Sequence, residues 1–87
     1  LLTNAKVMKF PQDTVVLQQG IINNYLYRVK SGSFRVMKQK TESEKPLLVH
    51  VLEHGAIFGE MSFLGKEPTS ASIVSNSNQA ELWVLEI

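Results

Sequence analysis

Gly55-Ala56-Ile57-Phe58-Gly59-Glu60-Met61-Ser62-Phe63-Leu64-Gly65, with Pro68-Thr69-Ser70-Ala71-Ser72 close behind, interrupts a chain that otherwise alternates apolar and polar residues. Glycines frame an apolar segment holding one carboxylate, Glu60, and a cluster of hydroxyls follows. Gly59 frees the backbone to turn tightly or to approach a ligand closely. Residues 60–64 suit about one to two helical turns, and Gly65 suits the left-handed residue that ends them. The unpaired N–H groups at the start of such a turn favour an anion. A sheet protein that interrupts itself in this way has something to bind there.

Outward from this stretch, the sequence reads as strands. Leu47-Leu48-Val49-His50-Val51-Leu52 is the most apolar run, with only His50 to mark a polar side. Before it, Tyr25-Leu26-Tyr27-Arg28-Val29-Lys30 places Tyr25, Tyr27 and Val29 on one face and Arg28 and Lys30 on the other. Ser31-Gly32 is a hairpin signal, and Phe34 and Val36 of the returning strand 33–38 face inward. Further upstream, residues 6–10 form a strand stopped by Pro11, and the β-branched run 14–18 forms another. Asn23-Asn24 is a turn, and residues 39–45 are a polar loop of mixed charge. Downstream, strands are expected at 70–74 and 80–85, with Asn76-Ser77-Asn78 turning between them. About seven short strands at a spacing of about eight to twelve residues predict a mainly β fold. It is an antiparallel β-roll or jelly-roll sandwich with one short internal helix.

Composition narrows the function. The 87 residues make a single domain, 1–87, which buries about 60–65% of its unfolded surface. Nine basic and eight acidic residues leave a net charge of +1, no footprint for nucleic acid. Cysteine is absent, which removes disulfides, thiolate metal sites and cysteine nucleophiles. No apolar run reaches the roughly eighteen residues of a membrane span, and no signal peptide opens the chain. The first residue is Leu, so a piece of a larger signalling protein is expected.

From Gly55 to Val74 the sequence resembles the phosphate-binding cassette of cyclic nucleotide-binding domains. The matching residues are Phe58-Gly59-Glu60-Met61-Ser62-Phe63-Leu64, Pro68 and Ala71-Ser72-Ile73-Val74. Asp13-Thr14-Val15-Val16-Leu17-Gln18-Gln19-Gly20 is similar to the family's second strand and its Gln-Gly turn. The stretch from Tyr25 to Val36 is similar to its central hairpin. The resemblance implies a regulatory module, not an enzyme, that takes cAMP or cGMP in a cytoplasmic setting. It also implies an effector domain on the same or a partner chain. Glu60 would accept the ribose 2′-hydroxyl, and backbone N–H groups of Gly59, Met61 and Ser62 would face the cyclic phosphate. Thr69 falls where the family carries a phosphate-binding arginine, Ser70 where it sorts adenine from guanine, and Ala71 follows. Ser70 offers an acceptor to a guanine amino group, a lean toward cGMP. The family's lid helices follow its last strand, whereas this chain ends at Ile87.

The Thr69 departure has a size. Truncating a desolvated guanidinium–phosphate pair costs about 2–5 kcal/mol. A threonine hydroxyl returns about 0.5–1.5 kcal/mol. Lys66, the one cation in the cassette, is a flexible point charge rather than a two-donor fork.

Other readings stand beside these. Glu60 also suits a helix's first turn by its charge alone. Thr69, Ser70 and Ser72 either line a phosphate pocket or are polar strand residues bonded to nearby backbone. The loss of the arginine favours a second function, a non-binding interaction or structural module on the same fold. A third, a jelly-roll metalloenzyme, needs histidines two apart on a strand face, whereas His50 and His54 are four apart with no third. His54 beside Gly55 reads as a turn residue. Trp83 and the tyrosines read as core or sheet aromatics rather than as base-stacking platforms.

Overall fold

A computed structural model of the chain describes residues 5–59 and 67–86. Its strands are β1 (Lys6–Phe10), β2 (Val15–Leu17), β3 (Tyr25–Ser31), β4 (Phe34–Lys38), β5 (Leu47–Leu52), β6 (Ile57–Phe58), β7 (Ser72–Ser75) and β8 (Ala80–Glu86). They form two four-stranded sheets, ordered β1-β8-β3-β6 and β2-β7-β4-β5, with antiparallel pairing throughout. The mainly β sandwich is the expected one, with β6 an additional short strand. The helix expected at 60–64 lies outside the described residues.

Period-two alternation sets the core. In β8, Ala80, Leu82 and Val84 are buried while Trp83 is exposed. In β3, Tyr27 and Val29 are buried, and Tyr25, at the strand's start, is exposed. Phe34 of β4 is fully buried between the sheets, and Val36 packs against the same cluster. An aromatic run crosses this core. Phe10 meets Phe34 edge-on at 6.3 Å, Phe34 lies 6.2 Å from Phe58, and Phe58 stacks on Tyr27 at 4.8 Å. Offset and edge-on rings at such distances add to plain burial.

One expectation is corrected. Ser31-Gly32 does not make a hairpin between paired strands, because β3 and β4 belong to different sheets. β3 pairs with β8 and β6, and β4 pairs with β5 and β7. The chain crosses between sheets at Gly32, which has a φ of 73°. It packs there so closely that a Cβ would stand 2.5 Å from Ser77 Oγ. The neighbouring β7–β8 crossing holds it in place: Asn76 N–H donates to the Ser33 carbonyl, and Ser33 N–H to Ser77 Oγ. A further finding concerns β5. Despite its apolar sequence it is an edge strand, with Leu47 and Val49 56% and 59% exposed. A register shift against β4, where Val36 faces His50 and Met37 faces Leu48, makes a bulge at Val49. Such bulges blunt an edge against further pairing.

Every connection except β4–β5 switches sheets, so backbone groups at the corners need side-chain partners. Ser75 supplies several. Its fully buried hydroxyl accepts from Thr14 N–H at 2.8 Å and donates to the Pro11 carbonyl. Arg35 closes the same corner, donating to Asp13 Oδ1 at 2.9 Å and Asn76 Oδ1 at 3.0 Å. Ser75→Ala takes the acceptor from Thr14 N–H, while the Pro11 carbonyl loses one donor and keeps the Thr14 hydroxyl. It is expected to cost about 1–3 kcal/mol in urea unfolding, whereas Ser43→Ala in the exposed 39–46 loop stays within about 0.5 kcal/mol.

Candidate functional site

The two sheets part around a hollow of about 280 Å³, walled by Leu17, Val36, Leu52, Phe58 and Ile73. Gly59 stands at one side of its mouth, and Glu67, Pro68, Thr69, Ser70 and Ala71 at the other. These are the strands' inward apolar positions, so the floor follows from the same alternation that builds the core. Four of the seven expected ligand residues, Gly59, Thr69, Ser70 and Ala71, thus meet at one cavity. The other three, Glu60, Met61 and Ser62, lie outside the described residues.

Gly59 is set by sterics. It follows β6, which is pinned to β3 by the Tyr27–Phe58 and Arg28–Ile57 pairs and by the Phe58–Tyr27 stack. Its φ is 87°, and a Cβ would lie 2.9 Å from both Asn23 Nδ2 and the Tyr25 carbonyl oxygen. Asn23 is buried, a rare state for this residue type. It accepts from Tyr25 N–H and donates to the Tyr25 carbonyl, so the turn before β3 forms the surface on which Gly59 rests. The turn after β5 is tied to the same strand, with Val29 N–H donating to Ala56 and Gly55 N–H to Val29. His54, as expected, is a turn residue, its Nδ1 2.8 Å from the Lys30 carbonyl.

The opposite rim is held by Thr69. Its O–H donates to the Gln18 carbonyl, and its oxygen accepts from Ile21 N–H at 3.3 Å. Its backbone N–H donates to the Ile21 carbonyl at 2.8 Å, and its carbonyl accepts from Gly20 N–H at 2.8 Å. A further bridge joins Ile22 to Pro68. Thr69 therefore fastens residues 67–70 to the Gln-Gly turn, and its one hydroxyl proton is already committed. Ser72 Oγ accepts from Gln19 N–H at 2.9 Å, a bond across to the turn after β2 rather than to its own local backbone. Ser70 is exposed at the rim and has no hydrogen-bond partner among the described residues.

The arginines are elsewhere. Arg35 is bound at the β1–β2 corner, and Arg28 lines a separate hollow on the outer face of the first sheet with Leu26 and Trp83. Trp83 is a sheet aromatic there, with Lys30 Nζ 5.5 Å from its ring centre. Among the described residues no group of three or more His, Cys, Asp and Glu side chains is placed to hold a metal ion. Sequence reasoning missed Glu67 at the rim and Asn23 beneath Gly59. Asn23 carried a signal only as half of a turn dipeptide; Glu67 carried none.

The model of the cyclic nucleotide-binding domain family matches residues 7–87. Cyclic GMP-binding protein C of Dictyostelium discoideum is 38% identical over 87 residues, which is all of this chain and 3% of that protein. The cAMP-dependent protein kinase regulatory subunit of Blumeria graminis is 31% identical over 81 residues, 86% of this chain and 21% of its own. The chain therefore spans a small part of these relatives. Among solved structures, the catabolite activator protein of Thermus thermophilus superposes with a TM-score of 0.87 at 30% identity, covering 98% of this chain and 39% of that one. The regulatory domain of Toxoplasma gondii PKA, crystallised with cAMP, reaches 0.87 at 23% identity, covering 94% and 31%; this likeness shows the fold. The chain belongs to the cyclic nucleotide-binding domain family.

Two substitutions probe the junction at Gly59. Gly20 shares its φ of 87° but has nothing within 4 Å of an added Cβ. Gly20→Ala is expected to cost about 1–2 kcal/mol from backbone strain, and Gly59→Ala measurably more; equal costs in urea unfolding contradict the close contact. Tyr27 has its phenol pKa pushed up by burial and, secondarily, by Tyr25. The neutral ring is favoured in the fold, while an unfolded tyrosine ionises near pH 10. This stability is fully present below about pH 10 and lost as pH rises through the folded value. Tyr27→Phe is expected to flatten that alkaline loss.

Proposed function

We propose that this member of the cyclic nucleotide-binding domain family is a regulatory module, with cAMP or cGMP held between Gly59 and residues 67–71. Ligand occupancy is passed to an effector domain on the same or a partner chain, in a cytoplasmic setting. The observation that carries the reading is the convergence of Gly59, Thr69, Ser70 and Ala71 on one hollow with an apolar floor. A purine ring suits that floor, and few polar groups at a mouth suffice to orient a ligand. Glu60 takes the ribose 2′-hydroxyl, and the N–H groups of Gly59, Met61 and Ser62 face the cyclic phosphate. Ser70, exposed at the rim and without a partner among the described residues, supports a lean toward a guanine amino group. Relatives whose names include both cyclic GMP-binding protein and cAMP-dependent kinase regulatory subunit support the ligand class.

One observation favours a second reading, a module that binds no ligand. Thr69 uses its hydroxyl proton and both backbone groups within the fold, so it behaves as a fastening rather than as a ligand donor. Amide chemical-shift mapping of the full chain with cAMP and cGMP separates the two. Ligand binding predicts shifts concentrated at Gly59, Glu60, Ser62 and Ala71, with Lys9 and Asn78 unmoved. A mouth that stays unchanged at millimolar ligand supports the non-binding module. Glu60→Gln removes a charged acceptor and is expected to weaken binding by about 1.5–3 kcal/mol, roughly ten- to 150-fold.

A further inference from the structure

We infer that Gln19 is a positioning residue for the ligand mouth: its carboxamide fills the place in the second sheet that residue 70 would take if β7 ran on, and so turns residues 69–71 out to the rim. This rests on the ligand site proposed above and concerns what places one side of it.

β7 lies between β2 and β4, and its pairing with β4 runs from Phe34↔Ser75 to Met37↔Ser72. Continued in step, that register would set Ser70 opposite Gln39. The strand stops at Ser72 instead, and Thr69, Ser70 and Ala71 stand at the mouth. Gln39 is paired all the same. Gln19 reaches across from the turn after β2, its Nε2 donating to the Gln39 carbonyl at 2.9 Å and its Oε1 accepting from Gln39 N–H at 2.9 Å. A carboxamide carries donor and acceptor in one plane, as a peptide unit does, so it completes the ladder in place of a strand residue.

Both glutamines are held in turn. Gln19 N–H donates to Ser72 Oγ at 2.9 Å, and Gly20 N–H donates to the Thr69 carbonyl at 2.8 Å. Gln39 Nε2 donates to the carbonyls of Glu42 at 3.3 Å and Glu44 at 2.8 Å, inside the polar loop after β4. The side chain of Gln19 therefore bars β7 from growing toward Gln39, while the backbone beside it grips the chain where it leaves the strand. Without the carboxamide, the half-buried Gln39 N–H and carbonyl need other partners, and Ser70 is the residue in register to supply them. That pairing draws Ser70 and Ala71 away from the hollow.

Gln19→Met keeps the length of the side chain and removes both of its hydrogen bonds. Amide spectra of the full chain without ligand are expected to show Ser70, Ala71 and Gln39 displaced, with Lys9 and Asn78 unmoved. Titration calorimetry with cyclic AMP and cyclic GMP, where variant and parent are both fully folded, is expected to show affinity about tenfold below that of the parent. A merely structural Gln19 lowers the urea midpoint and leaves the affinity of the folded protein in place. Ser70 and Ala71 amides at their parent positions, or affinity within about threefold of the parent, overturn the inference and leave the ligand site standing. Binding of neither nucleotide by the parent overturns the ligand site, and the ligand-free spectra alone then decide whether Gln19 places the rim.

Discussion

Gly59 lies against the Tyr25 carbonyl and the Asn23 side chain, with no room for a Cβ, while the preceding Phe58 stacks on Tyr27. These contacts fix where the chain leaves the core and enters the cassette. β6 is only two residues long and would be a poor anchor by backbone pairing alone. The aromatic run Phe10–Phe34–Phe58–Tyr27 ties it instead to the most deeply buried part of the sandwich. One side of the mouth is therefore as rigid as the core, a requirement for any site that must present backbone groups at fixed positions.

The other side is held by polar bonds rather than by apolar packing. Thr69 and the Pro68–Ile22 bridge lash residues 67–70 to the turn after β2. The Gln-Gly turn is itself braced, with Gln19 and Gln39 exchanging side-chain and backbone bonds at 2.9 Å. At the far end of the sandwich, Ser75, Asn76 and Arg35 perform the same service for the sheet crossings. A fold that changes sheet at nearly every connection leaves backbone groups without ladder partners at its corners. Short polar side chains are the residues able to satisfy them locally.

Much of this was legible in the residues. The alternation of Tyr27 with Val29, and of Phe34 with Val36, identified strands and their inward faces, because a half-buried sheet imposes a period of two. The glycine-framed stretch and Pro68-Thr69-Ser70-Ala71 pointed to a mouth, and Gly59 and residues 69–71 do meet at one hollow. What was not legible depends on partners distant in sequence. Ser31-Gly32 has hairpin chemistry, but Ser77 and Ala80, more than forty residues on, direct the crossing into the other sheet. The apolar run from Leu47 to Leu52 gave no sign of its edge position, because composition cannot tell an edge strand from a central one. Ile57–Phe58 is too short to show any period. The burial of Asn23 follows from its position under Gly59, which neither residue announces alone.

At the mouth, the described residues include a carboxylate at Glu67 and a threonine at position 69 whose hydroxyl is bonded within the fold, while both arginines stand elsewhere. Among the described residues, the apolar floor and the rim hydroxyl of Ser70 are the features that face a ligand. A crystal structure of the chain grown with cyclic GMP tests this most directly. The predicted result is a purine between Gly59 and Ala71, its base on Leu17 and Ile73 and its ribose toward Glu60. A hollow closed by the protein's own side chains, or ligand density only on the outer face beside Trp83, would contradict it.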